Sequence, residues 1–212
     1  MAQMDNREGR KRALDRLMFF SDAVAAIAAT LLILPLVDDA SAIGHRSVGD
    51  LLSDNWHALF AFALSFAVIY RFWIIHHHLY ENVSDYSQPL LWANGLWLIC
   101  IVFLPFPTEL IGTGTENGRS PLGLGLYIGT MVVASAASML AQWIIQRSPN
   151  LATPGAPRRS LSGAAIATAA LVVAFIVAVA YPPIGPWALL ILVPTGYIDR
   201  WWLARHHADQ AE

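Results

Sequence analysis

The side chains that could perform chemistry in this 212-residue chain lie inside or beside long apolar segments. They form three clusters in chain order: Arg16, Ser21 and Asp22; then Arg71, Trp73, His76, His77 and His78; then Asn94. Carboxylate, imidazole and guanidinium groups together suggest proton transfer, metal binding or a hydrogen-bonded network between helices. A charge at the middle of a membrane helix costs at least about 2.5 kcal/mol on the insertion scale. Each of these groups therefore needs a partner or a purpose.

The three clusters fall at one depth if the apolar segments are helices that cross a membrane alternately. The first helix would enter with Asp22, the second would leave with the histidine run, and the third would re-enter with Asn94. We expect a hydrogen-bonded layer in which Asp22 accepts from arginine or histidine, and His76 and His77 bond to Asp22 or Asn94. This layer would hold the first helix in place.

The histidine run also permits two functional hypotheses. A membrane enzyme could use these imidazoles to bind a metal, but consecutive helical residues point about 100° apart and no cysteine or carboxylate cluster completes a site. We therefore expect no metal, no cofactor and no enzymatic activity. A proton- or cation-coupled secondary transporter that uses Asp22 and His76–His78 is the alternative to the function derived below.

Composition assigns the chain to the membrane class. Hydrophobic residues make up 56% and charged residues 13%, against about 25% charged in soluble domains. Six stretches are long and apolar enough for transmembrane helices, which predicts an all-α, six-helix membrane protein. They are 17–37, 55–79, 88–111, 121–146, 160–181 and 184–203. Only YPPIGP separates the last two, so a re-entrant pair is the competing interpretation there.

Arginine and lysine cluster on one predicted side of these spans. That side has Arg7, Arg10, Lys11, Arg12, Arg16, Arg147, Arg158, Arg159, Arg200 and Arg205, whereas the other has Arg46 and Arg119. The positive-inside rule then predicts a multi-pass plasma-membrane protein with both termini cytoplasmic. We divide it into a basic tail (1–15), a transmembrane domain (16–203) and a C-terminal tail (204–212). A net charge of −2 offers no basic face for nucleic acid.

Three segments in order carry a resemblance. Arg16, Phe20, Ser21 and Asp22 form the motif R-x-x-x-F-S-D, which AVAAIAATLLIL follows; RFWIIHH begins at residue 71, and a third segment runs from Asn94 to PFPT at 105–108. Together they resemble the transmembrane protein 175 family of potassium channels over roughly the first half of the chain. The second half agrees only in hydropathy, and the family's arginine after the histidine pair is His78 here.

The resemblance implies a channel that passes potassium and, less readily, other monovalent cations. It also implies that the first helix lines the pore and that four copies of a single six-helix unit surround the axis. The narrowest region would fall on large apolar side chains, by position Ile27, Leu31 and Leu34.

The residue spacing agrees with that implication. Ile27, Leu31 and Leu34 are spaced i, i+4 and i+7, so they form one stripe on a helix, with Thr30 beside it. Ordinary lipid-facing or core packing is the alternative explanation of such a stripe. Four stripes around an axis would make apolar rings that block ions by dewetting. Because the chain has no TVGYG-like filter, selectivity would depend on ring size, hydration and Thr30 hydroxyls.

Overall fold

The described part of the chain is helical apart from turns and one isolated bridge. The computed structural model describes residues 2–41, 47–112, 121–148, 150–153 and 161–180. The helices are α1 (Ala2–Leu31), α2 (Leu34–Ser41), α3 (Val48–Asp54), α4 (Trp56–Tyr80), α5 (Gln88–Phe103), α6 (Pro105–Gly112), α7 (Pro121–Arg147) and α8 (Leu161–Ala180). This confirms the all-α fold class.

Four stretches within these helices are long and apolar enough to cross a membrane. They are Glu8–Ser41, Trp56–Tyr80, Gln88–Gly112 and Leu122–Arg147, and they correspond to the first four predicted spans. The fifth predicted span, 160–181, coincides with α8, whose segment Ala164–Val173 is apolar but shorter. The sixth predicted span, 184–203, and the C-terminal tail lie outside the described residues.

The first span is longer than predicted and is not one uninterrupted helix. Residues assigned to the N-terminal tail are helical from Ala2 and continue directly into the span. The helix then breaks at Leu32 and Ile33, where the Ile33 N–H bonds back to Thr30 O at 3.3 Å. Pro35 explains the break, because it has no N–H to donate to the carbonyl of Leu31. Pro105 coincides with a similar interruption between α5 and α6.

Two apolar clusters form the interior of the bundle. The larger joins α1, α4, α5 and α7 around the fully buried Trp97, Ile101 and Ile128. The smaller lies at the end of the bundle where α1 begins, and includes Leu14 and Leu90. Helix α5 packs on α7, and α7 packs on α8, with buried Ala134, Ala137 and Ala141 on α7 permitting close approach.

Loops at the end where α1 begins are joined to one another by hydrogen bonds. The segment between α4 and α5 pairs with the segment after α7, through an antiparallel bridge between Val83 and Ala152. Ser84 N donates to Leu151 O at 2.8 Å, and Thr153 N donates to Asn82 O at 2.9 Å. The start of α1, the end of α4, the start of α5 and the end of α7 therefore share one end of the bundle.

Candidate functional site

Helix α1 has two faces with opposite environments. The buried residues of α1 are spaced by seven, four and three positions, a pattern that keeps one side of a helix in contact with its neighbours: Leu14, Ser21, Ala25 and Ala28. A different face carries the apolar stripe, and Ile27 there is 58% exposed in the single chain. One face of α1 is thus packed against α4 and α5, and the other is left for lipid, another subunit or a pore.

The stripe of Ile27, Leu31 and Leu34 is divided between two helical segments. Ile27 and Leu31 belong to α1, whereas Leu34 is the first residue of α2. The expectation of one continuous helical stripe was therefore wrong, because the break caused by Pro35 falls inside it. All three side chains are exposed, as is Thr30, whose hydroxyl donates to Ile27 O at 2.8 Å.

A cavity of about 380 Å³ adjoins this break. Leu31, Leu34 and Pro35 line it from the first span, and Phe106 and Thr108 line it from α6. Three carboxylates also border this cavity: Asp38, Asp39 and Glu109. Their negative charge favours cations near this end of the stripe.

A buried polar network connects α1 to the rest of the bundle. Ser21 on α1, His76 on α4 and Asn94 on α5 are each no more than 2% exposed. Asn94 Oδ1 lies 2.7 Å from His76 Nε2, and Asn94 Nδ2 donates to Ser21 Oγ at 3.1 Å. The structure thus brings together three residues that are up to 73 positions apart.

The geometry of this network sets the direction of each hydrogen bond. An amide oxygen only accepts, so His76 must carry its proton on Nε2 and donate it to Asn94. Ser21 Oγ lies 3.0 Å from Leu17 O and 3.5 Å from Asn94 Oδ1; its single proton goes to the nearer Leu17 carbonyl. The hydrogen bonds therefore share one direction: His76 on α4 donates to Asn94 on α5, and Asn94 donates to Ser21 on α1. Ser21 in turn donates to the backbone of α1 at Leu17 O.

Asp22 lies beside this network and bonds to Trp73, a residue of the predicted polar layer that we did not expect as its donor. The indole Nε1 of Trp73 donates to Asp22 Oδ1 at 2.8 Å, whereas we expected arginine or histidine donors. The Trp73 ring lies between those of Tyr70 and His77, with centroid distances of 5.7 and 5.5 Å. Indole N–H groups bond to carboxylates as readily as imidazoles do, but hydropathy patterns treat tryptophan as an interfacial anchor.

The remaining motif residues lie on α1 and α4. Arg16 and Phe20 are exposed on α1, and Arg71 is half-buried on α4.

The three consecutive histidines point to different surroundings. His76 is buried and stacks on Trp97 with a centroid distance of 4.0 Å. His77 lies against Trp73, and His78 Nδ1 lies 3.4 Å from Glu81 Oε2 at the exposed end of α4. Among the residues that the structure describes, no group of three histidine, cysteine or acidic side chains could hold a metal ion.

The structure also contains a second buried polar network, which the sequence analysis did not predict. Ser65 Oγ is hydrogen-bonded to Thr108 Oγ1 at 2.9 Å and to Tyr127 OH at 3.1 Å. This joins α4, α6 and α7 without involving α1. Polar residues inside apolar segments are a sequence signal for such networks, but their pairing across 43 and 62 positions follows only from the packing.

Comparison with known proteins shows which family and which relatives this chain resembles. Residues 16–105 match the family model described as the endosomal/lysosomal potassium channel TMEM175, so the match begins at Arg16 and ends at Pro105. A potassium channel of Streptomyces collinus is 30% identical over 70% of this chain and 69% of its own length. One of Chamaesiphon minutus is 32% identical over 54% of this chain and 57% of its own length.

Longer relatives and a solved structure extend the comparison. The human endosomal/lysosomal proton channel TMEM175 is 29% identical over 61% of this chain, which corresponds to only 27% of the human protein. The crystal structure of a lysosomal potassium-selective channel TMEM175 homologue from Chamaesiphon minutus superposes with a TM-score of 0.70. That match covers 88% of this chain and 97% of the other, at 21% identity, and shows a shared fold. The chain therefore belongs to the TMEM175 family, which is a family of potassium channels and not of enzymes.

Proposed function

We propose that this protein is a potassium-permeable, weakly selective monovalent cation channel formed by four copies of the chain. Each copy has six membrane spans, with both termini cytoplasmic, in the plasma membrane. The observation that carries the proposal is the exposed apolar face of α1, which is separate from the face that packs on α4 and α5. Similarity to channels named for potassium supports the choice of ion.

The constriction of this channel consists of rings of Ile27, Leu31 and Leu34. In the part of one chain that the structure describes, these side chains are 58%, 40% and 49% exposed, although Ala28 and Leu32 between them are almost fully buried. Four copies around an axis would turn the exposed residues toward one another and enclose a narrow apolar passage. Such a passage excludes water and ions when narrow and conducts when it widens.

Thr30 and the acidic cavity supply the polar groups of this pathway. The Thr30 hydroxyl uses its proton on the helix backbone, so its oxygen lone pairs face outward as acceptors for a cation or its hydration water. The carboxylates of Asp38, Asp39 and Glu109 raise the local cation concentration beside the constriction. Weak selectivity is expected because hydroxyl and water oxygens replace a rigid carbonyl filter.

The contacts of Asp22 and His76 favour a structural role over the transporter alternative. Asp22 accepts from Trp73, and His76 is buried, stacked and bonded to Asn94. A carrier of protons or substrate would need these groups to change partners during each cycle, whereas a network that holds α1 works best when they do not.

The test replaces Ile27 with serine and measures potassium flux into liposomes that contain the purified full chain. Ile27→Ser should raise the flux several-fold, because a hydroxyl lets water enter the ring. Ile99→Ser is the matched control: Ile99 is also exposed, at 69%, but lies on α5 in a groove against α7. It should leave the flux unchanged.

Two further measurements complete this test. The detergent-solubilised protein should contain four subunits by native mass spectrometry, and planar-bilayer recordings should show discrete current steps. Equal flux in wild type and Ile27→Ser, or a monomeric particle, would contradict the proposal. Saturable, counter-ion-dependent flux without current steps would instead indicate a transporter.

A further inference from the structure

The buried face of α1 continues beyond the membrane span to Arg10. Arg10 lies four residues before Leu14 and eleven before Ser21, so it is on the same side of the helix as the packed residues. Helix α1 is continuous from Ala2 to Leu31, and Arg10 lies about 25 Å from Ile27 along its axis, at 1.5 Å per residue. A contact at Arg10 therefore acts on the same rigid rod that carries the first residues of the stripe.

Arg10 binds a loop that is itself held firmly. Its Nε lies 2.8 Å from Asp85 Oδ1, and its guanidinium lies over the Tyr86 ring at 5.8 Å from the centroid. Asp85 Oδ1 also accepts from the Tyr86 N–H at 2.8 Å, which fixes the orientation of the carboxylate. The loop is anchored in turn by the Val83 and Ala152 bridge and by the hydrogen bonds of Ser84 and Thr153.

A second ion pair on α1 differs in what it connects. Arg12 pairs with Glu8 at 3.6 Å within the same helix, and both side chains are 71% exposed. The Arg10 and Asp85 side chains are 50% and 22% exposed, and they join α1 to the loop between α4 and α5. Both arginines carry the same charge at the same end of the bundle, but only the Arg10 pair can hold the rotation of α1 against the other helices.

We infer that Arg10 is a positioning residue for the channel gate: its contact with Asp85 and Tyr86 holds the rotation of α1 that keeps the apolar stripe directed at the pore axis. Loss of this contact leaves the hydrogen bonds of Ser21 and Asp22 and the packing of the small buried alanines as the remaining restraints, and all of these lie within the membrane span. Helix α1 then turns more easily, and the apolar rings no longer close the passage. This inference rests on the proposed function, since it assumes that α1 lines the pore.

The test compares charge reversals at the two arginines in the reconstituted full chain. Arg10→Glu should raise the potassium flux per assembled channel roughly fivefold, at the low end of typical couplings between distant sites. Arg12→Glu, which changes the surface charge equally, should leave it near the wild-type value. The double variant Arg10→Glu with Asp85→Arg should return the flux toward wild type, because the pair is restored with its charges exchanged.

The controls distinguish failure of this inference from misfolding of a variant and from failure of the proposed function. Subunit number and unfolding temperature are measured for every variant, and flux is normalised to assembled channels. If Arg10→Glu does not assemble, Asp85→Asn provides the milder loss of the same contact and should show the same increase. Equal or lower flux relative to Arg12→Glu, or no recovery in the double variant, would overturn the inference. Absence of potassium flux in wild type would instead overturn the proposed function.

Discussion

The two buried polar networks in the described part of the chain hold different parts of the bundle. The first, Ser21, Asn94 and His76, connects α1 to α4 and α5. The second, Ser65, Thr108 and Tyr127, connects α4, α6 and α7. Only the first involves the helix that we propose lines the pore. Similar hydrogen bonds therefore have different consequences, because one network positions the pore helix and the other stabilises the scaffold around it.

Among the substitutions that test this difference, Asn94→Leu should have the largest effect. The change keeps the number and branching of the side-chain heavy atoms but removes the partners of His76 Nε2 and Ser21 Oγ, which are both buried. A single hydrogen bond in a membrane bundle contributes about 0.6 kcal/mol on average, but two buried groups lose their partners here, so we expect a loss of about 2–4 kcal/mol. The thermal unfolding of the detergent-solubilised protein measures the loss, and liposome assays should show altered potassium flux per channel.

Asn82→Leu is the matched control for that variant. The hydrogen bond that the structure describes for Asn82 is made by its backbone carbonyl, which accepts from the Thr153 N–H. The substitution does not change that carbonyl. An equal loss of stability in the two variants would show that the first network stabilises the protein no more than the Asn82 side chain does.

Trp73→Phe should have an intermediate effect. It preserves most of the ring but removes the indole donor to the Asp22 carboxylate at 2.8 Å. Bonds to charged groups are stronger than neutral ones, and Asp22 is only half-buried, so we expect a loss of about 1–2 kcal/mol with raised flux. Trp92→Phe, at a 72% exposed tryptophan on α5, should change neither quantity. Identical results from the two tryptophans would remove Asp22 from the set of groups that hold α1.

Tyr127→Phe should have the smallest effect, and it should lower stability without changing the flux. It removes the hydroxyl that is hydrogen-bonded to Ser65 and leaves the ring in place, for a loss of about 1 kcal/mol. Flux per assembled channel should stay at the wild-type value, because the second network does not include α1. The exposed Tyr70 gives a control, since Tyr70→Phe should not lower the unfolding temperature. A change in flux with Tyr127→Phe would show that the scaffold and the pore helix are coupled, and the distinction between the networks would fail.

Particular residues show how much of this could be predicted from the sequence. The layer that brings Ser21, His76 and Asn94 to one depth was predictable, because each residue has a known distance from the end of an apolar segment. The position of the motif Arg16 to Asp22 at the start of the first span followed from the same pattern. The break inside the stripe had a visible signal in Pro35, yet hydropathy averaged over a window of about 20 residues does not register it.

Other features had no usable signal. Three features belong here: Trp73 as the donor to Asp22, the pairing of Thr108 with Ser65 and Tyr127, and the ion pair of Arg10 with Asp85. All of them join residues from different helices or join a helix to a loop. Each depends on the rotation of one helix against another, which the hydropathy of the separate segments leaves undetermined.

The amino-acid sequence alone determined the membrane class, the apolar spans and the depth at which polar groups must lie. Those properties are local or additive, since transfer of each residue from water to lipid contributes separately to the free energy of a span. Only the tertiary structure decided which face of α1 is packed and which is exposed, and which donor meets each acceptor. Those outcomes depend on close packing between helices, where rotation by one residue, about 100°, exchanges the partners of every side chain on the helix.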